Sequence, residues 1–265
     1  MSDAFLPLDL LAIAPHPDDA ELFAGGLLAL SAQRGHRVGI VDLSRGERAT
    51  RGDPETRAVE ADRAANVLGL CHRENLGLPD GALSAATSTP DELDDVDSPV
   101  MRVVSVIRRL RPAIVIAPPR LERHPDHEHA GALVRRALFL SGLAKLTSDD
   151  GLPPFTPRQT LIMPMRVELP VSFVVDITAV LDIKREAILA HVSQVGGPAS
   201  ASGPLIGSAL ALAAIEARDR YHGAMIGVAA GEPYFAESTL GIADPVAFFK
   251  GAAHGPAHLF PRRLP

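Results

Sequence analysis

The chain has 265 residues, 46% of them hydrophobic and 22% charged, with a formal net charge of -6. That composition suits one sizeable folded domain and excludes global disorder. A mildly acidic chain is a poor match to a general nucleic-acid binder and offers an anionic membrane nothing to attract. Cys71 is the single cysteine, so an intrachain disulfide or a cysteine-rich metal knuckle is excluded. The first residues lack a basic stretch followed by an apolar one, and no apolar run nears the roughly 18 residues of a membrane span. The expected compartment is the cytoplasm.

In chain order, residues 10–14 (Leu-Leu-Ala-Ile-Ala) predict a buried strand bounded by Pro15 and Pro17. Residues 20–34 predict a helix stopped by Gly35, residues 38–43 a second strand, and residues 54–68 a second helix with Pro54 in its first turn and Gly69 after it. Residues 79–98 are acidic and without period, which predicts a loop. A helix over 101–110, a β-branched strand over 113–117 and a helix over 127–140 then follow. Strand and helix alternating in this way predict a parallel sheet covered on both faces, with ligand sites beyond the carboxyl ends of its strands. The loops after residues 14, 43 and 117 all leave at that edge. The second half is less regular: strands over 160–165 and 172–177, helices over 181–192 and 209–221, and a small-residue loop or flap over 196–203. The fold class is therefore α/β, a Rossmann-like three-layer fold with a mainly parallel sheet and a less regular C-terminal part. One domain is expected over 1–265, residues 1–145 forming the core and 146–265 completing the pocket.

Two polar clusters stand directly after buried strands. His16-Pro17-Asp18-Asp19-Ala20-Glu21 follows the first, and His124-Pro125-Asp126-His127-Glu128-His129 follows the strand over 113–117. Both fall on one sheet edge, so residues far apart in sequence can converge. Two histidines with a carboxylate, leaving positions open, suit a catalytic zinc or iron site. Plainer readings stand beside this one. Asp19 can be a helix N-cap, the second cluster a solvated turn, and Arg57 with Glu60 an ion pair on a helix surface.

The first cluster resembles one signature of the LmbE-like (PIG-L) deacetylase family, and His124-Pro125-Asp126-His127 resembles the other. The likeness continues through Asp42-Leu43-Ser44, Gly46-Glu47, Arg57, Glu60 and Leu76-Gly77-Leu78-Pro79-Asp80-Gly81. Further on, Val175-Asp176-Ile177, Ser193-Gln194 and Glu216-Ala217-Arg218 are similar to the branch that serves bacillithiol biosynthesis. The resemblance implies a mononuclear zinc hydrolase, with iron(II) as the other candidate metal, held by His16, Asp19 and His127. It makes Asp18 the general base that activates water and His124 the group that stabilises the oxyanion or protonates the leaving amine. Asp126 then orients His124 and favours its charged form, and Arg57, Glu47 and His191 line the substrate pocket.

The reaction so implied is hydrolysis of the acetamide of an N-acetylglucosamine conjugate, N-acetylglucosaminyl-malate first among them. Its alternative is a deacetylase or amidase of the same family acting on a chitin-derived sugar or a mycothiol-type conjugate. A homo-oligomer, up to a hexamer, is a further implication. A sugar- or nucleotide-binding module without catalysis fits less well. A dinucleotide site wants Gly-x-Gly-x-x-Gly after the first strand, where this chain has His-Pro-Asp-Asp.

Overall fold

The computed structural model describes residues 7–83, 93, 95–147, 151–166, 169–195 and 209–251. Its first strand, β1 (Leu10–Ala14), is wholly buried, and alternate residues serve opposite cores. Leu10, Ala12 and Ala14 face one, and Leu11 and Ile13 face the other. The chain continues through α1 (Asp19–Gln33), β2 (Val38–Ser44), α2 (Pro54–Leu68) and β3 (His72–Leu78). After these come α3 (Pro99–Leu110), β4 (Ile114–Ala117), α4 (Pro125–Ser141) and β5 (Gln159–Ile162). Helix ends follow local chemistry. Asp53 accepts the Thr56 N–H at the start of α2, Pro54 occupies the first turn, and Gly69 ends it in the left-handed region at φ 72°.

Strands β1 to β5 are parallel and sit in the order β3-β2-β1-β4-β5. One face is covered by α1, α2 and α5 (Leu181–Ala190), which supply Phe23, Leu28, Ala64, Leu68 and Ile188. The other is covered by α3 and α4, through Val103, Val104, Ile107, Leu133 and Val134. The predicted α/β architecture is thus present. Strands β6 (Phe173–Asp176) and β7 (Gly231–Ala236) extend the same sheet beyond β5 in antiparallel fashion.

Some predicted ends shift, each for a local reason. The helix expected over 181–192 stops at Ala190, because His191 turns inward at φ -81°, ψ 60°; a short helix, α6 (Val192–Val195), follows. Helix α4 begins two residues early because Pro125 fits its first turn and His124 caps it. Strands β3 and β7 were not expected. The first is a mostly polar edge strand, and the second carries buried Glu232 beside Pro233. The helix expected over 209–221 extends to Ile226 as α7 (Ala209–Ile226). The loop over 196–203 lies outside the described residues, as does much of the loop over 79–98. A last helix, α8 (Pro245–Gly251), leaves Val246, Phe248 and Phe249 exposed. No helix among the described residues is long and apolar enough to cross a membrane.

A buried charge cluster ties the C-terminal part to α1. Lys184 Nζ lies 2.6 Å from Asp219 Oδ2 and 2.8 Å from Glu232 Oε1. Glu232 in turn accepts the backbone N–H groups of Gly26 and Leu27, both at 2.7 Å, and the Tyr234 hydroxyl at 2.8 Å. Gly26 has no room for a side chain, since a Cβ there would fall 2.6 Å from Ile177 Cγ2.

Candidate active site

From β1 the chain passes through α1 to β2 on one side; after β3 it crosses to β4 on the other side of β1. The strand order therefore reverses at the carboxyl ends of β1 and β4, where open α/β sheets form their binding crevice. His16, Asp18 and Asp19 follow β1 at this edge, and His124, Asp126 and His127 follow β4 at the start of α4. Residues more than 100 positions apart are brought side by side. The His16 and His127 rings lie 5.4 Å apart, and His124 stacks on His127 at 4.6 Å.

His16, Asp19 and His127 converge, each offering one ligand atom within 4.8 Å of the others. Asp19 Oδ2 is the hub, 3.2 Å from both His16 Nδ1 and His127 Nε2. The far nitrogen of His16 is held from behind: Nε2 lies 3.1 Å from Asp80 Oδ1 and 3.5 Å from Asp126 Oδ2. A carboxylate on one imidazole nitrogen fixes its proton there and frees the other lone pair for a cation. Two imidazole nitrogens and one carboxylate oxygen, with Asp80 and Asp126 behind the His16 ring, fit a divalent zinc or iron(II) ion. The cap reading of the acidic pair does not hold, because Asp18 makes no side-chain cap and Asp19 turns back onto the His16 N–H.

The electrostatics separate the two aspartates. Burial works to raise Asp19, but His127 and His16 hold its carboxyl well below the ordinary range. Burial, and then the adjacent Asp19 charge, push the Asp18 carboxyl up to about 6, against the pull of Arg57, His191 and His16. A carboxylate near neutrality is suited to accept a proton from water. His16 is opposed by burial, yet Asp126, Asp19 and Asp80 lift its pKa well above the ordinary value.

Asp126 sits differently from the expectation. Its carboxylate accepts the Gly81 N–H at 2.6 Å and faces His16, and it touches His124 only through its backbone N–H, which donates to His124 Nδ1 at 3.2 Å. That bond makes Nδ1 the acceptor, so a neutral His124 carries its proton on Nε2. Burial, then the charges of His127 and His16, lower the His124 pKa despite Asp19 and Asp126. The charged imidazole expected from an Asp126 partner is therefore disfavoured.

Each of the three expected pocket residues has partners within the protein. Arg57 is 3% exposed, and its guanidinium donates to the carbonyls of Pro17 at 2.6 Å and Gly46 at 3.2 Å. Glu47 Oε1 accepts the Asp80 N–H and pins the turn that carries Asp80. His191 is buried with Nε2 3.1 Å from Glu21 Oε1, behind the first cluster. The Arg57–Glu60 surface pair is absent as well, since Glu60 receives the backbone and hydroxyl of Ser193 at 2.6 and 2.7 Å. Asp80 had no assigned role in the sequence. Its signal was a Leu-Pro-Asp-Gly turn after β3, which shows nothing of a histidine 64 residues away. Arg73, whose Nε bonds Asp42 at 2.9 Å and whose Nη1 bonds Glu21 at 2.5 Å, was missed for the same reason.

Comparison with known proteins adds a second line. Residues 11–138 match the model of the family described as PIG-L, GlcNAc-PI de-N-acetylase. A diacetylchitobiose deacetylase of Thermococcus kodakarensis is 30% identical over 195 residues, covering 70% of this chain and 69% of that protein. A Bacillus subtilis protein named "Probable N-acetyl-alpha-D-glucosaminyl L-malate deacetylase 2" is 29% identical over 203 residues, 71% of this chain and 84% of its own. Among solved structures, a conserved protein of Thermus thermophilus superposes with a TM-score of 0.76 at 37% identity, covering 89% of this chain and 98% of that one.

Proposed function

This chain belongs to the PIG-L family of de-N-acetylases, and we propose that it hydrolyses the acetamide of an N-acetylglucosamine conjugate at the site formed by β1 and β4. The observation that carries this reading is the convergence of His16, Asp19 and His127 beside Asp18, a carboxylate that neither caps a helix nor bonds a ligand residue. We assign the first three as metal ligands. A divalent ion held there acidifies water and polarises an acyl oxygen.

The remaining roles belong to the chain's own side chains. Asp18 takes a proton from the water whose oxygen attacks the acetyl carbonyl carbon. His124 offers its Nε2–H to the carbonyl oxygen as negative charge develops, and the proton taken up by Asp18 passes to the amine nitrogen as the C–N bond breaks. Acetate and a free amino sugar are released. Asp80 and Asp126 hold the His16 ring in the orientation that presents Nδ1.

For the substrate we propose N-acetylglucosaminyl-malate, the precursor used in bacillithiol biosynthesis. The Bacillus subtilis relative supports this, and so does the charge of the loops at the site edge. Arg45 and Arg48 after β2, and Arg120 and Arg123 after β4, are exposed on an otherwise acidic chain. The acids beside them, Glu47 and Glu122, are bound to backbone N–H groups. Such a rim favours a substrate with carboxylates. The reading extends to a homo-oligomer, supported by the exposed Leu240, Ile242, Val246, Phe248 and Phe249; light scattering that returns a monomer removes that part.

The test is amine release from N-acetylglucosaminyl-malate, N,N'-diacetylchitobiose, a glucosaminyl-inositol conjugate and plain N-acetylglucosamine, with zinc content measured. Preferential turnover of the malate conjugate is expected. Preferential turnover of chitobiose or the inositol conjugate replaces the substrate, and no turnover of any by metal-loaded protein sinks the reading.

A further inference from the structure

Asp18 has φ 125° and ψ -30°, a conformation that a residue with a side chain rarely adopts. Something must hold it there. The peptide just before Asp18 is gripped by Arg57, whose Nη2 donates to the Pro17 carbonyl at 2.6 Å while Nη1 donates to the Gly46 carbonyl at 3.2 Å. The same Nη2 lies 3.7 Å from Asp18 Oδ2. One planar fork thus joins the loop after β1 to the loop after β2. Position 46 is shaped around it: Gly46 has φ +67°, and a Cβ there would fall 1.7 Å from Arg57 Nη1.

From these three observations, which rest on the deacetylase reading only for the role of Asp18, we infer that Arg57 is a positioning residue, holding the strained Pro17–Asp18 peptide so that the Asp18 carboxylate faces the site. Both Nη groups are engaged by backbone carbonyls in a buried position, and Nε, the one atom without a partner, is buried too. A lysine can reach one carbonyl but not both, because an ammonium is a point donor where guanidinium is a fork.

The test compares wild type with Arg57→Lys and Gly46→Ala, each checked for fold by circular dichroism and for bound zinc. Misplacing a catalytic group by about 1 Å costs about 100-fold. We expect kcat to fall by about that factor in both variants, with KM within about threefold of wild type and zinc content unchanged. Gly46→Ala reaches the same defect by pushing the guanidinium aside. Raised KM with kcat preserved in Arg57→Lys overturns the inference, because it means that the guanidinium binds substrate. A second readout is independent of turnover: the His16 and Asp19 amides should exchange with solvent faster in both variants. Wild-type protein that releases no amine sinks the deacetylase reading. Unchanged amide exchange in both variants sinks the clamp.

Discussion

Asp80 gives the sharpest test of how the metal centre is built. Its Oδ1 is 3.1 Å from His16 Nε2, and Asp126 Oδ2 stands behind at 3.5 Å from the same nitrogen. Asp80→Asn keeps an oxygen that can accept the Nε2 proton but removes its charge. A hydrogen bond to a charged group is worth about 1.5–3 kcal/mol against about 0.5–1.5 for a neutral one, so about 1 kcal/mol is lost. That is about a fivefold weakening of zinc binding. Asp80→Ala removes the acceptor, for which losses of about 10- to 100-fold are typical. Because Asp126 still faces Nε2, the single variant should fall at the lower end and Asp80→Ala/Asp126→Ala near the upper end. The assay is competition for zinc between metal-free protein and a fluorescent chelator at about pH 7.5, with circular dichroism confirming the fold. A double variant that binds zinc as tightly as wild type would falsify the assignment of both carboxylates as supports of His16, whatever its activity.

Three other outcomes follow from particular contacts. Asp18→Asn should keep its zinc and lose about 100- to 10,000-fold in kcat, the range of a general base, whereas His127→Ala should lose both zinc and activity; near-normal turnover in Asp18→Asn removes the proposed base. Lys184→Met strips the cation from buried Asp219 and Glu232, and breaking a buried pair costs about 3–5 kcal/mol, so the urea midpoint should drop sharply. The Asp219 carboxyl, pushed up to about 6 mainly by burial, can take a proton; the loss in Lys184→Met should therefore be smaller at about pH 5 than at pH 8, and an unshifted midpoint at both rejects the cluster as a stabilising feature. The Glu21 carboxyl is opposed by burial but held well below its ordinary value by Arg73 and His191. Its stabilisation is present above the unfolded value near 4.5 and lost as pH falls below it, so Glu21→Gln should lower stability at neutral pH and flatten the acid side of a stability–pH curve. A curve of unchanged slope counts against that role.

How much of this was legible in the sequence depended on distance along the chain. The residues 10–14 strand and the α2 helix were readable to their ends, because apolar runs, Pro54 and Gly69 act on their immediate neighbours. Two clusters after buried strands pointed to a polar site, since a parallel sheet puts all such loops on one edge. The chain could not show which loops meet. His16 and His127 converge because the strand order reverses between β1 and β4, a property of the whole sheet.

The same limit explains the residues whose roles changed. Arg57 reads as a free cation or a surface partner of Glu60 until the β1 and β2 loops are seen to place two carbonyls at its guanidinium. Asp80 reads as a turn residue until β3 pairs with β2 and carries it to His16. Local composition fixed β1 and α2 and where they stop, because capping and hydrophobic period operate over a few residues. Only the tertiary structure decided which buried polar groups meet, because each buried donor or acceptor takes a partner from wherever packing places one.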